Sequence, residues 1–93
     1  MSVAWDRLRA VVDRLPRSWA AGLGVILDAL QRGEHLTDLQ RDALRAVVGS
    51  DLHESLPAVW ETAWTLNALD RFGVEAFDWT SVDDAISRAE AGR

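Results

Sequence analysis

Apolar residues recur along this chain at three- and four-residue intervals, the period of a helix face rather than of a strand. Trp5, Leu8, Val12 and Leu15 make the first such stripe and predict a helix over 3–15. Pro16 ends it, because proline has no N–H for the hydrogen-bond ladder. Trp19, Leu23, Ile26, Leu27 and Leu30 predict a second helix over 17–32, and Gly33 stands where a left-handed C-terminal cap is wanted. Gly22 and Gly24 lie inside that helix, where each costs about 1 kcal/mol relative to alanine. The small-residue run 20–24 therefore predicts a place where another backbone comes close, through internal packing or at a surface groove.

The third helix opens at Thr37-Asp38-Leu39-Gln40, a capping box in which threonine oxygen and glutamine side chain satisfy each other's backbone amides. Leu39, Ala43, Ala46 and Val47 are its expected inward face, Gly49 its end, and 50–55 an extra turn. A fourth helix over 56–72 has Ser55 as its expected cap and Pro57 in the first turn, where a missing N–H does no harm. Its apolar residues, Val59, Trp60, Ala63, Trp64, Leu66, Leu69 and Phe72, fall around most of the circumference. Such a helix is either central to a bundle or shared between the core and a partner. Thr62, Thr65 and Asn67 need hydrogen-bond partners if buried. After Gly73, residues 74–79 read as an apolar connector whose Phe77 and Trp79 plug the bundle end. A last helix starting at Thr80 or Ser81 carries the narrow stripe Val82, Ala85, Ile86 and Ala89. The pattern predicts an all-α fold: one helical domain over 1–93, a small bundle of five helices, or six if the turn at 50–55 forms.

Composition narrows what such a bundle can do. Ninety-three residues leave room for one core. There is no cysteine, hence no disulfide framework, thiolate nucleophile or cysteine metal site. The N-terminus lacks the order of a signal peptide. The longest run of apolar residues and glycine, 19–27, is nine residues against the roughly 20 a bilayer requires. No membrane helix is expected, and a cytoplasmic location is. Net charge is −5, with ten arginines, no lysine and fifteen acids. Arg7, Arg9, Arg14 and Arg17 make the first eighteen residues locally positive against Asp6 and Asp13, while 34–54 sets five acids against two arginines. An acidic chain repels phosphate backbones, so nucleic acid is not an expected partner.

Parts for covalent chemistry are missing. His35 and His53 lack the i, i+4 spacing of a helical metal pair, and no soft ligand joins them, so no metal site is expected. No serine stands in a nucleophile elbow, no glycine loop follows a strand, and the absence of lysine removes Schiff-base chemistry. Asp83 and Asp84 are adjacent, hence about 100° apart on a helix, and share no pocket. No catalytic residue and no cofactor is expected. Residues 36–45 resemble the opening helix of helix-turn-helix regulators. However, the segment that follows is apolar where a recognition helix carries basic and amide residues.

Five tryptophans are the remaining signal: Trp5, Trp19, Trp60, Trp64 and Trp79. Tryptophan is enriched at binding hot spots. Trp60 and Trp64 are four apart and neighbours on one helix face. Together with Phe72, and with Arg7 and Arg14 from the basic end, they are the candidate partner-binding residues. The function this implies is a non-enzymatic protein–protein interaction module (an adaptor, inhibitor, or immunity- or antitoxin-like factor), working on a protein partner or by self-association. The alternatives are a small-molecule binder with a Trp-lined pocket between the second and fourth helices, and a structural subunit of a larger assembly.

Overall fold

A computed structural model describes residues 5–73 and 79–91, including side chains at 80 and 83–88 of the last helix. The fold is all-α. Its elements are α1 (Trp5–Arg14), α2 (Arg17–Gln31), α3 (Asp38–Val48), α4 (Leu52–Ser55), α5 (Pro57–Phe72) and α6 (Trp79–Ala91). The turn at 50–55 does form, as α4, and the bundle has its sixth helix. The connector proposed to plug the bundle end, with Phe77 and the Trp79 side chain, lies outside the described residues.

Most helix ends follow the punctuation of the chain. Gly33 adopts φ +76°, and its N–H donates to Leu30 O at 3.1 Å while the Glu34 N–H donates to Ala29 O at 2.9 Å. That pair of bonds is the Schellman arrangement, and it satisfies carbonyls the helix leaves over. The capping box of α3 is complete. Thr37 Oγ1 accepts from the Gln40 N–H at 3.1 Å, and Gln40 Oε1 accepts from the Thr37 N–H at 2.9 Å.

Ser55 does not cap α5. It is the last residue of α4, and the cap position falls to Leu56, which makes no side-chain bond. The reason lies upstream. Ser50 Oγ donates to Val47 O at 2.6 Å and accepts from the Leu52 N–H at 3.2 Å, winding the connection into a helical turn that absorbs Ser55.

At the centre is α5, which packs against all five other helices. Val59, Thr62, Ala63, Thr65, Leu66, Ala68 and Leu69 are buried around it. Leu8 and Val12 of α1, Leu27 of α2, Leu44 of α3 and Ile86 of α6 complete the core. The two buried threonines are satisfied by their own helix: Thr62 Oγ1 donates to Ala58 O at 2.7 Å and Thr65 Oγ1 to Glu61 O at 2.9 Å. The wide apolar circumference of this helix is thus covered largely from within the chain.

The inward face of α3 is the expected one at Val47 alone. Leu39 is 80% exposed, Ala43 and Ala46 face outward, and Leu44 and Val47 are buried. Two stripes compete on this helix. The stripe of Leu44, Val47 and Val48 offers more apolar surface to α5 than Leu39 with two alanines does, and burial scales with that area. Arg41 fixes the rotation, with Nε donating to Asp70 Oδ2 of α5 at 3.0 Å.

Candidate docking groove and its surroundings

Helices α2 and α3 both lean on α5 but meet each other little, and an open groove of about 440 Å³ runs between them. Trp19, Leu23 and Ile26 form its α2 wall with Gly22 and Val25. Its α3 wall is Leu39, Ala43, Leu44 and Val47. The polar lining residues are Ser18 and Gln40, and the Gln40 side chain is already engaged in the capping box. Among the described residues no ionisable side chain lines the groove. Its lips are apolar and wet, Val25 at 56% and Leu39 at 80% exposure.

The small-residue run divides its work. A Cβ on Gly24 would meet Val12 and Arg9 of α1 at ordinary contact distance, 3.8 Å, so Gly24 serves internal packing. A Cβ on Gly22 would meet nothing within 4 Å, and this position opens onto the groove. Burying one large aliphatic side chain is worth about 1.5–3 kcal/mol. Leu39 and Val25 forgo more than half of that in the free protein.

The five candidate residues are scattered. Trp60 is half-buried, with its Nε1–H donating to Val48 O at 3.0 Å and its ring edge-on to His53 at 5.8 Å between centroids. It lines a cleft with Val48, Ser50 and Pro57, separate from the groove. Trp64 is half-buried on the same side of α5. Phe72 is 60% exposed, and helical periodicity sets it about 80° around from Trp64. The Arg71 guanidinium stands 5.7 Å from the Phe72 ring centroid. Arg7 is committed to α6, donating to Asp83 Oδ1 at 2.6 Å and Ser87 Oγ at 3.4 Å. Arg14 is exposed beside a small cleft formed with Pro16 and residues 55–59. Trp60 and Trp64 share a side of α5 through their four-residue spacing, while Arg7 and Arg14 belong to α1.

Sequence reasoning missed Val25 and placed Leu39 and Ala43 inward, while Gly22 belonged to the small-residue run read as internal packing or a surface groove. One signal was available: Val25 falls outside the stripe of α2, an apolar residue on what should be its wet side.

Several charges are bound in pairs that lace the helices. Arg9 reaches Asp28 across α1 and α2, Arg41 reaches Asp70, and Arg88 Nε donates to Glu61 Oε1 at 3.1 Å. The bond to Glu61, with the carboxylate's charge, pushes the Arg88 pKa up. Glu34 is held below the usual carboxylate range by the hydrogen bond and charge of Arg32. Among the described residues no three His, Asp or Glu side chains gather as metal ligands, and no helix is long and apolar enough to cross a membrane. Comparison with protein-family models, curated proteins and solved structures finds no match.

Proposed function

We propose that this chain is a non-enzymatic interaction module of the cytoplasm, and that the α2–α3 groove receives an apolar face of a partner protein, best supplied by an amphipathic helix. The observation that carries this reading is the exposure of Leu39 and Val25 as lips of a groove whose described lining is apolar and holds no ionisable side chain. Two helices diverging from a common support leave a trough that a third helix can fill, and Gly22 and Ala43 let its backbone come near. Covering Leu39 and Val25 alone is worth about 2–3 kcal/mol, whereas micromolar binding needs about 8. The remainder must come from half-buried Trp19 and from the partner's own apolar side chains, because Leu23 and Ile26 of the α2 wall are already buried. A described lining of apolar residues with Ser18 and Gln40, and no acid or base beside that serine, favours binding over chemistry at this place.

The test is site-specific photo-crosslinking in cells of the source organism. A photoreactive residue at position 39 should capture one defined protein, and the same probe at Arg88, exposed on α6, should not. Val25→Glu with Leu39→Glu should abolish capture while leaving the melting temperature within a few degrees. If the double variant captures the same protein as strongly, or if only Trp60→Ala and Trp64→Ala abolish capture, the groove is not the docking site.

A further inference from the structure

We infer that the cleft on the opposite side of α3, between α3 and the C-terminal half of α5, binds a small oxyanion, a molecule carrying a phosphate or sulfate group. The cleft measures about 490 Å³ and is lined by Arg41, Arg45, Asn67, Asp70 and Arg71. Spacing explains the convergence. Arg41 and Arg45 are one turn apart on α3, Asn67 and Arg71 one turn apart on α5, so each pair shares a face. In a chain of net charge −5, this cleft sets three guanidinium groups against one carboxylate.

That carboxylate is already spoken for. Asp70, with its side chain only 10% exposed, accepts from Arg41 Nε at 3.0 Å and Nη2 at 3.5 Å. It orients Arg41 and occupies two of the five N–H groups a guanidinium offers, leaving the others for a ligand. Arg45 is held from the rim by Asp42, in a pair whose side chains are 65% and 67% exposed. Exposed pairs of this kind are worth about 0–1 kcal/mol, so Arg45 turns inward at little cost. Arg71 rests on the exposed Phe72 ring, and Asn67 adds an amide that can donate. Planar guanidinium groups match the oxygen pairs of phosphate and sulfate. An extended polyanion is disfavoured, because the stretch 34–54 that carries α3 holds five acids against two arginines and repels a charged backbone. The recognised chemistry is therefore one compact dianionic group.

The experiment is an NMR titration of the full chain with inorganic phosphate, against sodium chloride at matched ionic strength and near-neutral pH. Saturable shifts at Arg45, Asn67 and Arg71 are expected with phosphate only. Arg45→Gln and Arg71→Gln should each raise the dissociation constant about tenfold, the worth of one charge-assisted hydrogen bond. Both side chains are exposed, so the fold survives their loss, and melting temperature verifies it. Leu39→Glu, on the groove side of the same helix, should leave the titration unchanged. Shifts that never saturate, that chloride reproduces, or that persist in the Arg45→Gln, Arg71→Gln double variant overturn the proposal.

Discussion

Leu39 and Leu44 stand five residues apart on α3, one 80% exposed and the other 1% exposed, and truncating each to alanine separates two orientations of this helix. Leu44 sits in the core against α5, so Leu44→Ala loses its transfer free energy and leaves a cavity, together about 2–5 kcal/mol. A domain of this size is stable by about 5–14 kcal/mol in all. At about 4–8 °C per kcal/mol, the melting temperature falls by at least about 8 °C. Leu39→Ala puts only about a fifth of a leucine's burial at risk, roughly 0.5 kcal/mol, partly offset by the better helix propensity of alanine. Its melting temperature should move by less than about 3 °C. Far-UV circular dichroism, followed through heat and urea, reads both variants, with the urea m-value checking that the transition stays two-state. Equal costs, or a larger cost at Leu39, would refute the rotation assigned to α3 and remove the α3 lip of the groove. Repeating the scan at two protein concentrations adds a second readout, since self-association through the groove would make the wild-type melting point rise with concentration.

Two further predictions follow from local geometry. Gly22→Ala meets open space in a helical backbone and should stabilise by about 0.5–1 kcal/mol, whereas Gly33→Ala must hold φ +76° and should destabilise by about 1–2 kcal/mol; paired thermal melts of the two variants check the opposite signs. Arg32 donates to Glu34 through Nε at 3.0 Å and Nη2 at 3.1 Å, which lowers the carboxyl pKa in the folded state. The resulting stability is present above the unfolded glutamate value and is lost as pH falls through the lowered folded one. A carboxyl NMR titration should show Glu34 ionising below the ordinary glutamate range, returning to it in Arg32→Gln; a Glu34 midpoint that ignores this substitution would contradict the pairing.

The helices were legible because periodicity and punctuation agreed. Pro16, Gly33, the Thr37–Gln40 box and Gly73 mark ends that the structure keeps within a residue or two. Where two apolar stripes share one helix, periodicity alone does not choose. On α3 the stripe containing Leu39 and the one containing Leu44 are both periodic, and the choice rests on what α5 presents, including Asp70 to Arg41. Ser55 failed as a cap for a related reason, because the stability of the turn at 50–55 depends on Ser50 bonding back to Val47. The groove was legible only at Gly22, within the small-residue run, because the rest of it belongs to no single segment. Its lips come from two helices, and whether they face each other depends on how both settle on a third.

The same hub that explains the fold explains why a gap remains. Because α5 supports five helices, its flanks set where α2 and α3 sit, and the two do not close on each other. Closing the gap would require either bulk at Gly22 and Ala43 or a rotation that buries Leu39. Neither comes without cost, since rotating α3 would expose Leu44 and break Arg41 from Asp70. The geometry therefore holds α3 with one flank apolar and the other lined with arginine. A partner helix seated in the groove and an anion seated behind α3 would press on the same element from opposite sides. Because the rotation of α3 is already held by buried Leu44 and by Arg41 on Asp70, neither ligand has a second state to draw from, so each should bind with the same affinity whether or not the other is present, which binding measured with and without phosphate checks.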